Sequence, residues 1–382
     1  MEETRPSMAF SPTLCVTHNC NLDCIYCYQK HSPQERMELD TAKHAIDWIF
    51  THIPDHCDSV EIGFIGGEPL LEFPLLKDIA AYTLSEKRPK PFIFFASTNG
   101  TVLTGEMKEW FTAHKDHFVL GLSLDGTKAT HDHNRGNSFD KIDTAFFRRT
   151  WPRQNVKMTL SDYSLGRLAE DIKYLHALGF AEVGGVNPAE GDFDWDKDEY
   201  IAMLIPQLAE LAGFYAENEG LKICQMLDKQ LAVCEGKEKL KKWCGIGTGT
   251  PFFDVDGKRY PCSYITPMTF PPLDLAAILQ TDYAAEENFV DQDCYEQCYI
   301  YPVCPTCAGA NYMVNRSYKR RNKNKCRIQK LVALFIADLQ ANLIAKNPRR
   351  YDDTTRYHTI TAIKKIRELF LPEFAEFLGT GD

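Results

Sequence analysis

The sequence predicts an α/β protein, a parallel sheet of six strand–helix repeats followed by a small cysteine-rich module with a β-hairpin and C-terminal helices. Three observations predict it. Strand-like runs alternate with amphipathic helices from residue 8 to about 190, the pattern of βαβ units around a parallel sheet. The motifs that carry chemistry fall at the C-terminal ends of those strands, where such folds bind ligands. Nine of the 14 cysteines lie beyond residue 220, in a stretch with a strong hairpin signal.

Taken in order, 8–17 is an apolar, β-prone run, and Asp40 to His52 shows helical spacing through Ala42, Ala45, Ile46, Ile49 and Phe50. Val60 to Ile65 is the second strand, with a helix from Leu70 to Glu86. Phe92 to Ser97 is the third, followed by a helix from Leu103 to His114, and Val119 to Leu124 is the fourth. Val156 to Leu160 and Ala181 to Val186 are the fifth and sixth, separated by a helix from Leu165 to Leu178 that Gly179 closes. An acidic run, 191–198, has calcium-loop-like alternation but lacks the glycine and terminal glutamate of that loop, so it reads as a linker. Helices are expected over Tyr200–Glu217, Met226–Cys234, Leu331–Lys346 and Thr361–Phe370, with Pro372 stopping or kinking the last. The expected domains are 1–190, a helical bridge 191–243, a cysteine module 244–330 and C-terminal helices 331–382.

At 382 residues two or three domains are expected. With 44% hydrophobic and 25% charged residues the composition is that of a globular protein. No run reaches the roughly 18 apolar residues of a membrane span, and the N-terminus has no apolar signal region. The net charge of -10 argues against nucleic-acid binding. So many cysteines without an export signal point to metal or cluster ligation in the reducing cytoplasm.

Cys20, Cys24 and Cys27 stand at C-x3-C-x2-C spacing with Tyr26 before the third. Thiolates are the usual ligands of iron–sulfur cubes. Three of them leave one of four irons open to a substrate. Zinc is the alternative, with His18 as a fourth ligand, although zinc ligands normally come as two separated pairs. The loop resembles the radical S-adenosylmethionine (radical SAM) signature. That resemblance implies a (β/α)6 partial barrel in which the open iron chelates SAM, and reductive cleavage gives a 5′-deoxyadenosyl radical that takes hydrogen from a substrate.

Further motifs carry the same resemblance. Gly66-Gly67-Glu68-Pro69 matches the family's GGEP motif, whose glycines let backbone approach SAM while Glu68 or nearby carbonyls take the methionine ammonium. Asn99 ends the third strand and joins the cofactor-binding set. Ser123 and Asp125 match the ribose motif, Arg135 aligns with an arginine that pairs with the SAM carboxylate, and Tyr26 with a residue whose backbone reads the adenine. From the residues alone, the alternative for Arg135 is a surface salt bridge.

Cys244, Gly257 and Cys262 form C-x12-G-x4-C, with Asp256-Gly257 at a hairpin turn; Cys294, Cys298, Cys304, Cys307 and Cys326 follow as C-x3-C-x5-C-x2-C-x18-C. These seven cysteines resemble the SPASM domain, which implies two auxiliary [4Fe–4S] clusters and hence three in all. The later piece departs from the usual C-x2-C-x5-C-x3-C by exchanging its outer gaps. The resemblance implies an outer cluster on Cys294, Cys298, Cys304 and Cys326 and an inner one on Cys244, Cys262 and Cys307, with Cys234 or a substrate thiolate completing it. One or two zinc sites are the alternative. Cys15, Cys57 and Cys224 are expected to be buried as small apolar residues. The basic tail reads as a solvated helix face or, less simply, a docking surface for an acidic peptide.

The resemblance implies a cytoplasmic maturase that abstracts hydrogen from a ribosomally made precursor peptide and installs a thioether or carbon–carbon crosslink. A formylglycine-forming anaerobic sulfatase maturase is the alternative, and a non-catalytic electron-transfer protein with three clusters is the reading of another class. Expected partners are the peptide and a reductant such as flavodoxin or ferredoxin. The first strand starts almost at the N-terminus, so leader recognition is expected to fall to another surface or to a separate leader-binding protein.

Overall fold

The computed structural model describes residues 9–191 and 193–379. Met8, where the first predicted strand begins, and Asp192 of the acidic run lie outside the described residues. The strands are β1 (Ala9–Phe10), β2 (Thr13–Thr17), β3 (Ser59–Gly66), β4 (Phe92–Thr98), β5 (Phe118–Leu122), β6 (Val156–Leu160), β7 (Val183–Pro188), β8 (Phe252–Phe253) and β9 (Arg259–Tyr260). The helices are α1 (Leu39–Thr51), α2 (Phe73–Leu84), α3 (Gly105–Ala113), α4 (Lys128–Asn134), α5 (Thr144–Thr150), α6 (Leu168–Ala177), α7 (Asp198–Glu217), α8 (Pro272–Ile278), α9 (Gln292–Gln297), α10 (Ala308–Asn315), α11 (Cys326–Lys346) and α12 (Asp353–Leu378). They form two compact units. One comprises residues up to 123, 135–154 and 244–285; the other comprises 124–134, 155–243 and 286 onward.

In the first unit the strand order is β5-β4-β3-β2-β8-β9, parallel except for the β8–β9 hairpin, with β1 also paired to β3. The predicted first strand is broken at Pro12, which has no N–H for a ladder; its carbonyl accepts from Gly63 N at 2.8 Å. Phe64, Phe94 and Phe118 stack on one face of β3, β4 and β5, with ring centroids 5.5–5.7 Å apart. Phe111 of α3 packs edge-on to Phe118 at 5.2 Å. Each such ring buries about 150–250 Å², so this stripe carries much of the unit's apolar burial. The predicted apolar face of α1 is the buried one. Gly257 takes φ +78° in the hairpin turn, a conformation that favours glycine, and Phe252 and Phe253 pair with β2 at Thr13 and Leu14. That pairing places the C-x12-G-x4-C segment on the same sheet as the first cysteine loop.

In the second unit β6 and β7 pair in parallel, and Leu124 N, just past β5, donates to Lys157 O at 2.8 Å. Helices α7 and α12 pack on α11. By length and composition α11 could cross a membrane, but most of its apolar stretch is buried inside the protein; it is the unit's core helix. The helix expected over Met226–Cys234 forms only a 3-10 turn, Leu231–Glu235. The chain just before it is tied to β7, since Gln225 N donates to Val183 O and Gln225 Oε1 accepts from Gly185 N. The last helix runs through Pro372 to Leu378. Pro372 and Glu368 are exposed, so the carbonyl that loses its intrahelical donor is left to water. In the acidic run Asp196 and Asp198 pair with Arg327 at 3.4 and 2.8 Å. In the basic tail Arg350, Arg356, Lys365 and Arg367 each have an acidic partner, which is a solvated, paired helix face.

Candidate active site and cysteine centres

The C-terminal ends of the parallel strands of the first unit meet at one open cleft. Its wall holds Cys20, Cys24, Tyr26 and Cys27 from the loop after β2, Gly66 at the end of β3, and Gly67 and Glu68 just past it. Thr98 at the end of β4, Asn99 just past it, Ser123 after β5, and Arg135 complete it. The sequence motifs, far apart in the chain, thus converge because parallel strands deliver their C-terminal ends to one edge.

The glycines of the Gly66-Gly67-Glu68-Pro69 motif are needed by the protein itself. A Cβ on Gly66 would lie 2.3 Å from Thr17 O, and one on Gly67 would lie 2.3 Å from Asn19 O. Gly67 N donates to Thr17 O at 3.2 Å and Glu68 N to Asn19 O at 2.8 Å. The motif therefore docks the cysteine loop onto the end of β3. The Glu68 carboxylate is likewise occupied. It accepts from Leu70 N at 3.1 Å, Thr98 Oγ1 at 2.7 Å and Asn99 N at 2.7 Å. Burial pushes its pKa up to about 7 against those donors and the Arg135 charge. Pro69 sits buried at the start of the following 3-10 turn. Asn99 Nδ2 donates to Asn21 Oδ1 at 2.9 Å and its Oδ1 accepts from Thr101, a second tie to the cysteine loop.

Arg135 is buried at 7% exposure, so the surface salt bridge does not describe it. Its guanidinium lies 5.4 Å from the Tyr26 ring centroid. Burial raises the Cys20 and Cys27 thiols, and Arg135 opposes this at Cys27. Asp125 is not part of the cleft wall. It belongs to the second unit, fully buried, and its carboxylate accepts from Asn134 Nδ2 at 3.2 Å and Thr159 N at 3.1 Å.

His18 does not complete a zinc set. Nδ1 lies 2.6 Å from Glu35 Oε2 and Nε2 lies 2.6 Å from Asp254 Oδ1. A carboxylate on each nitrogen favours the protonated ring, in which both nitrogens donate. Burial alone would lower its pKa, but Asp254 and then Glu35 outweigh that and raise it. This ion triad clamps the start of the cysteine loop to the β8 turn. Sequence reasoning missed it, because 236 positions separate His18 from Asp254.

In the second unit Cys294, Cys298, Cys304, Cys307 and Cys326 line one cavity. The predicted outer set is thus brought together, and Cys307 stands with it. Burial pushes Cys304 up to about 12, with Arg321 opposing and Cys298, Cys326 and Cys294 adding to the rise. Cys234 is also pushed up to about 12 by burial and feels the charge of Cys298. Cys244 and Cys262 are neighbours in the first unit, where burial raises Cys262 to about 11 and Cys244 adds to it. Cys15, Cys57 and Cys224 are buried as expected.

The thiol spacing bears on what these sites can hold. Among the described residues, Cys15, His18 and Asp254 form the set whose ligand atoms lie within 4.8 Å of one another, and two of these three form the ion pair just described. A single tetrahedral zinc needs its sulfurs about 3.8 Å apart, from Zn–S bonds near 2.3 Å. Among the described residues, the thiols of the cleft and of the cavity form no such compact set of three.

Residues 14–147 match the family model of the Radical SAM superfamily. An uncharacterized protein of Methanocaldococcus jannaschii is 27% identical over 174 residues, 44% of this chain and 59% of that protein. The cysteine-type anaerobic sulfatase-maturating enzyme of Clostridium perfringens is 24% identical over 277 residues, 65% of this chain and 72% of that enzyme. The chain spans 59% and 62% of the first two curated relatives it matches. Among solved structures, anSMEcpe with bound AdoMet superposes with a TM-score of 0.66 at 18% identity, covering 92% of this chain and 99% of that one. Streptococcus suis SuiB bound to precursor peptide SuiA gives 0.56 at 15% identity, covering 83% and 76%. These likenesses speak for the fold. The motifs, the converging strand ends and the family match agree, and the chain carries a radical SAM domain over residues 14–147.

Proposed function

We propose that this protein is a radical SAM maturase that acts on a ribosomally made peptide and installs a thioether or carbon–carbon crosslink. The observation that carries the reading is the cleft in which three thiols, Arg135, Ser123 and the Asn99 amide share one wall. Cys20, Cys24 and Cys27 would hold a cube. Such a cube, with one iron free for SAM, supplies the electron that releases a hydrogen-abstracting 5′-deoxyadenosyl radical. Arg135 supplies a buried cation suited to the SAM carboxylate, Ser123 a hydroxyl for a sugar, and Tyr26 a ring beneath Arg135. The Glu68 carboxylate acts one step back, fixing the ends of β3 and β4, and its one remaining acceptor site is available to an ammonium. In the second unit Cys294, Cys298, Cys304 and Cys326 would hold a closed auxiliary cube. Cys244 and Cys262, in the first unit, would contribute to the inner one, to make three clusters. We place the protein in the cytoplasm, where thiols stay reduced, with a flavodoxin or ferredoxin as reductant and a separate protein for leader binding.

The exchanged gaps among the later cysteines, a departure from the sulfatase-maturase pattern, favour the crosslinking reading. The similarity to the Clostridium perfringens enzyme over 65% of the chain favours a second one, oxidation of a cysteine or serine to formylglycine. The test is anaerobic incubation of the reconstituted protein with SAM, reductant and cysteine-containing peptides. Loss of two hydrogens without an aldehyde supports crosslinking, and a hydrazine-reactive aldehyde supports formylglycine. Failure to make 5′-deoxyadenosine at all would leave the electron-transfer reading.

A further inference from the structure

The cavity of the second unit is ringed by cations as well as thiols. Arg321 is buried at 5% exposure and lines the cavity. Its Nη1 donates to Cys304 O at 3.1 Å, and its guanidinium carbon lies 4.1 Å from the Tyr301 ring centroid. Its Nε and Nη2 are buried without a hydrogen-bond partner among the described residues. None of the three nitrogens therefore donates to a carboxylate. A buried guanidinium with unmet donors is costly unless an anion faces it. The guanidinium shares the cavity wall with Cys294, Cys298, Cys304 and Cys326, while Asp291 accepts from the Arg321 backbone N–H at 2.8 Å. Lys323 adds a second, independent contact, with Nζ 3.0 Å from Cys294 Sγ and 3.5 Å from Asp291 Oδ2.

We infer that Arg321 and Lys323 raise the reduction potential of a cube held by Cys294, Cys298, Cys304 and Cys326, and so make this cavity an electron-accepting centre. The inference rests on the auxiliary-cluster reading above. A four-thiolate cube is already an anion and gains one more negative charge on reduction, so a fixed neighbouring cation favours the reduced form. Potentials of such clusters are set by net charge, hydrogen bonds to the sulfurs and solvent exposure, and here two of those levers act from two side chains. The step is a one-electron transfer in which no bond of the cube breaks. The donor is the substrate radical, which is oxidised by one electron and loses a proton as the product bond closes.

The test is a redox titration, followed by electron paramagnetic resonance, of the full chain reconstituted with iron and sulfide in a background lacking Cys20, Cys24 and Cys27. The outer signal is the one lost in Cys304→Ser. Arg321→Gln and Lys323→Met should each lower its midpoint by a shift equivalent to at least about tenfold in the one-electron equilibrium, about 59 mV. Arg321→Lys should restore most of the loss. Where Arg321→Gln fails to keep its iron, Lys323→Met, which alters a half-exposed side chain, decides. Full iron with an unmoved midpoint would overturn the inference and leave the cluster reading intact. Tightly bound zinc in the cavity of the parent protein would overturn both.

Discussion

The cleft of the first unit presents three thiols beside a buried arginine, a serine hydroxyl and an asparagine amide, whereas the cavity of the second unit presents five thiols among arginine and lysine side chains. In the cleft, the ligands hang on one irregular loop that is held by its neighbours: the Gly67 and Glu68 backbone N–H groups bond the carbonyls of Thr17 and Asn19, and the Asn99 and Asp254 side chains bond Asn21 and His18. In the cavity, they are spread over α9, the following loop and the start of α11. The difference teaches how function divides between them. A three-thiol loop beside groups suited to a polar ligand leaves a coordination site for chemistry. A set with enough thiols to close a cube, backed by cations, suits electron transfer.

The contrast can be broken most severely at Gly67. Gly67→Val should place its Cβ against Asn19 O, expel the cysteine loop and cost the cleft its iron, while the cavity keeps its own. Metal analysis would show about one cube lost; undiminished iron and SAM cleavage would mean the loop does not need that close approach. Next comes Arg135→Ala, expected to weaken SAM binding by about 2–5 kcal/mol, the range for removing one partner of a buried charge pair. Isothermal titration reads it, and unchanged affinity would remove Arg135 from the site. His18→Gln removes charge-assisted bonds worth about 1.5–3 kcal/mol each, and should lower unfolding stability in urea by an amount of that order without touching the cavity's iron. An unaltered urea midpoint would show that the clamp contributes nothing. The smallest effect is expected from Tyr26→Leu, where the loss of an arginine–ring contact is worth about 0.5–2 kcal/mol in SAM affinity. A larger loss than in Arg135→Ala would invert the assignment of roles.

Much of this was legible in the sequence because it is local. The C-x3-C-x2-C loop, the Gly-Gly turn and the alternation of strands and helices are written within short windows, and the apolar face of α1 appears residue for residue. What was not legible depends on distant partners. The role of the motif glycines follows from the carbonyls of Thr17 and Asn19. Asp125 reads as a ligand group in its Ser-Leu-Asp-Gly context, yet it is consumed by Asn134 and Thr159. Arg321 and Lys323 look like members of an ordinary basic surface run until folding sets them against Cys304 and Cys294. The helix expected over Met226–Cys234 failed for the same reason, since Gln225 commits the chain before it to β7.

The most direct test of the account compares the reconstituted parent protein with a variant in which Cys20, Cys24 and Cys27 are all alanine, measuring iron content and 5′-deoxyadenosine formed from SAM under a strong reductant. The account predicts that the parent cleaves SAM, and that the variant loses all cleavage and about one cube's worth of iron while the cavity's cluster stays spectroscopically intact, since each ligand set is separate. Continued formation of 5′-deoxyadenosine by the triple variant would contradict it.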